Sequence, residues 1–352
     1  MRSPLLDTPG AVAGQAPDDT VPAHYGNPYA EQRALASGQA LVDRGNREVV
    51  RIAGPDRLSW LNSLSSQKLD PLAPGTPTQT LLLDPQGRVE HHLTLVDDGE
   101  AVWAHVEPGT SAELVAFLEK MRFMLRVEVA DVTADYAVVS VAAPGADPVR
   151  LTPPEGSIAV GGDLLVPRER LAGLPGELGL TPAGLWAYEA LRIEAHVPRL
   201  GFETDHKTIP HEVGWIGEAV HLSKGCYRGQ ETVARVHNLG HPPRRLVFLH
   251  LDGSVDVLPP HGAPVTLGVG TPSEAEPEAA VEGAAEPGQI GFVGSSARHH
   301  ELGPIALAVV KRTVPVDIDL LAGGVAATQE VVVPPDAGRN VTIDPALRRR
   351  IR

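Results

Sequence analysis

The segment Lys224-Gly225-Cys226-Tyr227-Arg228-Gly229-Gln230-Glu231 holds the chain's one cysteine between two glycines, with a cation two positions to either side. In an extended loop, side-chain alternation sets Lys224 and Arg228 on the same side as the Cys226 sulfur. Positive charge beside a sulfur favours thiolate over thiol, and flanking glycines let other groups approach the backbone closely. A lone cysteine can instead be a small buried hydrophobe, but these polar neighbours do not resemble a core strand. Cys226 is therefore the candidate reactive group. Lys224 and Arg228 are its electrostatic activators, and Gln230, Glu231 and Arg235 its hydrogen-bonding frame.

Outward from this segment, composition narrows the class. A chain of 352 residues, 42% hydrophobic and 21% charged, is an ordinary globular sequence long enough for two or three domains. Its 36 glycines and 33 prolines imply many turns. The net charge of −14 argues against a broad nucleic-acid-binding face. One cysteine excludes an intrachain disulfide, a zinc ribbon and an iron–sulfur cluster held by one chain's own thiolates. No export signal follows Arg2 and no long apolar run occurs, so a cytoplasmic protein without membrane contact is expected.

The hydrophobic pattern gives an α+β reading. Residues 1–28, rich in Pro, Gly, Ala and Asp, are expected to be a mobile arm. Glu48–Ala53 reads as a strand, and a helix carrying Leu58, Leu61 and Leu64 follows Gly54-Pro55-Asp56. Strands are expected at Leu81–Leu83, Val89–Val96, Ala101–Val106, Leu125–Val132 and Tyr136–Ala142. Between them, Thr110 and Glu113 form a capping-box pattern ahead of a helix through Met121. Thr181-Pro182 predicts another helix, with Thr as N-cap, running to about His196. Beyond His241, short strands separated by turns predict a small β-barrel or sandwich over 241–335. An acidic insertion at 271–288 is expected to be disordered, and 336–352 to be a tail ending in Arg348-Arg349-Arg350-Ile351-Arg352. Residues 29–240 form the remaining region, read as two α+β lobes. His91-His92 and His299-His300 read as solvated surface rather than metal ligands, because neighbours on a strand point to opposite faces.

Lys-Gly-Cys-Tyr-x-Gly-Gln-Glu with the following Val233-Ala234-Arg235 closely resembles the signature of the YgfZ-type folate-binding proteins. These are relatives of the glycine-cleavage T protein (aminomethyltransferase) and of a mitochondrial iron–sulfur assembly factor. Leu191-Arg192-Ile193-Glu194-Ala195-His196-Val197-Pro198 is similar to the family's Leu-Arg-x-Glu-Ala-Gly-x-Pro segment, with His196 in the glycine's place. Gly54-Pro55-Asp56 and Leu83-Asp84-Pro85-Gln86-Gly87-Arg88 match its N-terminal landmarks.

The resemblance implies a three-lobed fold, two α+β lobes and a C-terminal β-barrel around a central cavity for tetrahydrofolate. It makes Glu194 the residue that hydrogen-bonds the pterin, a sensible role for a carboxylate facing an amino-pyrimidine edge. Tyr188 aligns with an aromatic that stacks on folate, although six helical residues leave it about 120° from Glu194. A second stacking aromatic would align with Arg47. The T protein's Asp-Asp pair is replaced by His91-His92, so a folate-dependent one-carbon transferase activity is left open. The leading expectation is a tetrahydrofolate-binding accessory protein that supports iron–sulfur cluster assembly or repair in client proteins, and through them tRNA modification. A tetrahydrofolate-dependent aminomethyltransferase or demethylase is the alternative, and a non-catalytic folate-responsive scaffold the third.

Overall fold

The computed structural model describes residues 1–146, 151–268 and 288–341. Six helices stand among these residues: α1 (Pro28–Ala36), α2 (Arg57–Leu64), α3 (Ser111–Arg122), α4 (Leu174–Leu178), α5 (Leu185–Glu194) and α6 (Gln230–Leu239). Eighteen strands accompany them among the same residues, in the mixed α+β arrangement expected.

The first lobe is an antiparallel sheet in the order Thr78–Leu83, Val89–Asp97, Ala101–Val106, Glu48–Ala53, Glu128–Asp131. Helices α2 and α3 cover it, closing a core of Val50, Ile52, Trp60, Leu61, Leu93, Val102, Leu114 and Leu118. The capping box at α3 does not form. Thr110 donates its hydroxyl to Glu107 O, and the Ser111 amide is capped by Glu48 from the neighbouring strand at 2.7 Å. A carboxylate from the strand Glu48–Ala53 thus satisfies one of the free amides at the start of α3.

The second lobe's sheet runs Ile158–Val160, Asp163–Pro167, Tyr136–Ser140, Ala40–Asp43, Thr181–Ala183, the last pair being parallel. The expected helix start at Thr181 is therefore a strand. Its backbone pairs with Ala40–Asp43, and α5 begins four residues later, at Leu185, with Gly184 as N-cap. Glu31 accepts the Gly184 amide at 2.8 Å. Between the two lobes the sheets face each other through Val49, Val96, Trp103, Val138 and Leu165.

A closed six-stranded barrel forms the third lobe: Arg244–Leu251, Gly303–Lys311, Gly291–His299, Pro264–Leu267, Leu320–Ala322 and Val325–Val331. One core binds all three lobes, with Leu81, Leu83 and Val89 from the first, Ala190 and Ile193 from α5, Tyr227 and Val233, and Phe248 and Leu307 from the barrel.

The expectation of a mobile N-terminal arm needs correction. Residues 1–28 are not a mobile arm: Leu5 and Val21 are buried, and Ser3 caps the turn Pro4–Asp7 while donating to the buried Asp43. Apolar anchors spaced wider than any helical or strand period hold the segment down, which is why no periodicity betrays it. At the other end, Asn340 and Val341 donate their amides to His237 O and Asn238 O at the end of α6. The acidic insertion, apart from Gly288, and the arginine run lie outside the described residues.

Candidate functional site

The Cys226 loop lies where the first lobe meets α6. Cys226 and Gly225 are exposed, whereas their neighbours Lys224 and Tyr227 are buried. Lys224 does not face the sulfur as an extended strand would require. Its ammonium donates to the Gln67 carbonyl at 2.9 Å and to those of Asn62 and Ser65, capping the C-terminal end of α2. Burial pulls its pKa down to about 8, so it stays an ammonium at neutral pH. Arg228 pairs with Glu90 at 3.0 Å and lies over the Phe117 ring of α3. Both cations expected to activate Cys226 are thus engaged elsewhere. They fasten the loop that carries the thiol.

Glycine is required on the loop's far side. Gly229 has φ +82°, and a Cβ there would stand 2.6 Å from Asp84 O and 2.9 Å from Gly87 Cα. The Cys226 segment therefore packs directly on the turn Asp84–Gly87, the second sequence landmark. Gln230 opens α6 and reaches back to Lys224 O at a long 3.4 Å. Glu231 and Arg235 follow one turn apart on the helix, both exposed. The frame expected around the sulfur is mostly a helix facing water.

Helix α5 holds the candidate folate residues, and the structure does not bring them together. Tyr188 is covered by Arg44, whose guanidinium carbon is 4.1 Å from the ring centroid and whose Nη1 lies 2.8 Å from the phenol oxygen. One face of its ring is covered by that guanidinium. Glu194 is partly exposed at the end of the helix, with Oε2 3.2 Å from Nε2 of the buried His299. Its Oε1 accepts no hydrogen bond among the described residues. An open carboxylate oxygen can accept a hydrogen bond from an N–H donor. His196 takes φ +57°, the region glycine prefers, which explains a glycine at this position in the related motif. Its ring is fixed against Phe248 at 4.9 Å.

The paired histidines are not solvated surface. His91 is buried and His92 half-buried. The pair does point to opposite faces: His91 senses Glu113 on α3, while His92 stacks on Trp215 at 4.7 Å and contacts Gln79 Oε1 at 2.8 Å. Burial, reinforced by Arg47, lowers His92 to about 3, and burial lowers His91 too. Both are uncharged at neutral pH. His299 is likewise buried, its Nδ1 accepting the Glu301 and Leu302 amides. Among the described residues no cluster of three His, Cys, Asp or Glu side chains could hold a metal ion. No described helix is long and apolar enough to cross a membrane.

Sequence reasoning missed an ionic network linking the first two lobes. Arg47 donates to His105 Nδ1 at 2.8 Å and pairs with Glu107. His105 Nε2 stands 3.0 Å from Asp163, which also holds Arg44. Arg199 joins Glu107 to Asp18 of the N-terminal segment. Desolvation opposes charge at Glu107 and Asp163, but their arginine partners win and hold both carboxyls well below the usual range. Arg47, expected to mark a missing aromatic, is a buried member of this network. Beside it, Arg192 ties Glu189 to Glu203 and Ser295 of the barrel.

Residues 5–150 match the GCVT N-terminal domain. An aminomethyltransferase of Rubrobacter xylanophilus is 26% identical over 303 residues, 76% of this chain and 80% of its own. The Bacillus subtilis aminomethyltransferase is 23% identical over 289 residues, 71% and 79% respectively. A chloroplastic protein of Arabidopsis thaliana, named as a transferase, is 26% identical over 280 residues, 70% of this chain; the match spans 64% of its length. Among solved structures, the glycine cleavage system aminomethyltransferase T of Bartonella henselae superposes with a TM-score of 0.73 at 17% identity, covering 96% of this chain and 98% of that one. Residues 5–150 thus match a GCVT N-terminal domain, and the chain has the fold of the aminomethyltransferase T protein.

Proposed function

We propose that this protein binds a reduced folate and acts as an accessory factor in the assembly or repair of iron–sulfur clusters in client enzymes, tRNA-thiolating ones among them, with Cys226 meeting the client. The observation that carries this reading is the presentation of the thiol. Cys226 is exposed, while the residues beside it are anchored by the Lys224 carbonyl bonds and by burial of Tyr227. A sulfur held on a fixed platform at the surface suits contact with another macromolecule better than chemistry in an enclosed pocket. One sulfur supplies one ligand to a cluster iron, so the cluster is cargo shared with a client or a small thiol. Glu194 would hold the pterin edge through its open oxygen. Tetrahydrofolate, when bound, supplies amine nitrogens that can accept a one-carbon unit.

The test is complementation of a strain lacking its own YgfZ-type protein. Wild type should restore cluster-dependent enzyme activity and Cys226→Ala should not, with both variants shown to be folded by circular dichroism. Full rescue by Cys226→Ala would remove the thiol from the function.

A second reading, an aminomethyltransferase, is favoured by the relatives of that name. Against it stand His91 and His92, both uncharged, where the related enzymes are expected to carry a carboxylate pair. An isotope-transfer assay with glycine-cleavage partners should show no aminomethyl transfer. Turnover comparable to that of a T protein would promote this reading over the first.

A further inference from the structure

The turn that leaves α3, Lys120-Met121-Arg122-Phe123-Met124-Leu125-Arg126, exposes apolar side chains more openly than any other stretch of the described residues. Phe123 is 89% and Met124 84% exposed, and Met121 and Leu125 beside them also face water. Single apolar residues scattered on a surface are ordinary, but a contiguous group of four marks a contact site. Met121 and Met124 are also the chain's two internal methionines, unbranched thioethers that adapt to an irregular partner surface.

Phe123 ends α3 at φ +49° and ψ −118°, a backbone region that glycine enters freely and an aromatic residue does not. The position thus carries backbone strain as well as apolar exposure, and a glycine would relieve both. Strain of this kind collects at recognition sites.

The turn is held from beneath. Trp60 of α2 donates its Nε1–H to Met121 O at 3.2 Å. Asp56 accepts the Arg126 amide at 2.9 Å and its Nη2 at 2.7 Å. Gly54 lets this end of the turn approach closely, since a Cβ there would stand 2.1 Å from Arg126 O. A turn tied at both ends presents its side chains at little further ordering cost.

Charge narrows what can cover it. Residues 120–126 hold three cations and no acid, on a chain of net charge −14. Arg126 is committed to Asp56, whereas Lys120 is exposed and Arg122 keeps only an exposed pair with Glu119 at 3.4 Å. Such a pair is weak enough to exchange for another carboxylate. A second copy docking about a two-fold axis would set these cations against each other. Anionic bilayers are gripped by clusters of about four to eight cations. Here only Lys120 and Arg122 are available, and the net charge of the whole chain is repelled by such a surface.

We infer that the Phe123–Met124 tip docks another protein, one that takes the Phe123 ring into an apolar groove and offers carboxylates on its rim to Lys120 and Arg122. Aromatic, methionine and arginine side chains are those enriched at protein interfaces. Phe117 of α3 lies under Arg228 of the Cys226 loop, and Phe123 follows about 9 Å further along the helix axis. A partner seated on the tip therefore stands on the same side of α3 as the thiol loop reaches, yet the docking itself does not use the thiol.

The test uses the full chain in its native host, with p-benzoylphenylalanine in place of Phe123 as a photo-crosslinking probe. It should trap a partner that the same probe in place of Val257, an exposed residue of the barrel lobe, does not. Mass spectrometry identifies the partner and the trapped segment, which should be apolar and bordered by Asp or Glu. Calorimetry with the purified partner should then show binding weakened about tenfold or more by Phe123→Gly and by Arg122→Glu. Cys226→Ala should leave the affinity unchanged. Phe123→Gly should also unfold at a urea concentration no lower than wild type, because it removes strain. A lower midpoint would make Phe123 a packing residue and overturn the assignment. So would trapping of a second copy of this chain, no partner beyond the Val257 control, unchanged affinity in Phe123→Gly, or an equal loss in Cys226→Ala. Retention on phosphatidylcholine–phosphatidylserine vesicles that Phe123→Gly abolishes would replace the protein partner with a bilayer.

Discussion

The Lys224 ammonium lies 2.9 Å from the carbonyl oxygen of Gln67, a residue 157 positions earlier in the chain. With Asn62 O and Ser65 O it makes one lysine the clasp between the thiol loop and the first lobe. Charge-assisted bonds of this kind are worth about 1.5–3 kcal/mol, and carbonyls left without a donor add to the loss. Lys224→Met should therefore lower the unfolding free energy by about 2–3 kcal/mol in urea titration. A loss under about 0.5 kcal/mol, the level of an ordinary surface change, would deny the clasp.

Cys226 is expected to react in the native state. Iodoacetamide should label one equivalent per chain without denaturant, and Cys226→Ser should unfold within about 0.5 kcal/mol of wild type, as exposed substitutions do. Labelling that begins only in denaturant would make the cysteine a packing residue.

Glu194→Ala should weaken tetrahydrofolate binding about tenfold or more, the usual consequence of removing a charged hydrogen-bond acceptor. Calorimetry on the folded variant decides the matter. Unchanged affinity would take Glu194 out of the site.

Three histidines should give acid sensitivity in a defined window. Burial, aided by Arg47, lowers His92 to about 3 and His105 to about 4; burial, aided by His237, lowers His211 to about 4. Over the range below the ordinary value of about 6.5, the unfolded chain binds protons that the folded one refuses, so stability falls as pH falls. Each unit of depression is worth about 1.4 kcal/mol. The unfolding free energy should decline as pH falls from 6.5 to 4. Further loss follows at lower pH as Glu107 and Asp163, whose folded pKa values are depressed, take up protons. Replacing His105 with Gln should shallow the first decline. An unchanged slope would show that His105 does not titrate differently in the two states.

The α+β class, the barrel and helices α2, α3 and α5 were readable because each rests on local apolar periodicity, as with Leu58, Leu61 and Leu64 or Leu114 and Leu118. What was not readable depends on partners distant in sequence. Thr181 looks like a helix cap until Ala40–Asp43 is available to pair with it. Lys224 and Arg228 look like a thiol's companions until α2 and Glu90 claim them. The Arg47, His105, Glu107, Asp163 and Arg199 network has no motif at all. Its one local trace is charge inside an apolar strand, at Ala104-His105-Val106-Glu107.

The second lobe's sheet places Ala40–Asp43 between Tyr136–Ser140 and Thr181–Ala183, with the whole first sheet, residues 48–131, strung between its first strand and its second. During synthesis the Ala40–Asp43 strand must therefore wait, unpaired, while an entire lobe is made and folded. At about 5–20 residues per second, the 97 residues from Asp43 to Ser140, the end of its first partner, take roughly 5–19 s, and its other edge stays open until Ala183. Such delayed, non-local pairing is intrinsically slow and leaves a sticky edge in the interim. The nascent chain's vulnerable period should lie in this interval, earlier than the emergence of the Cys226 loop.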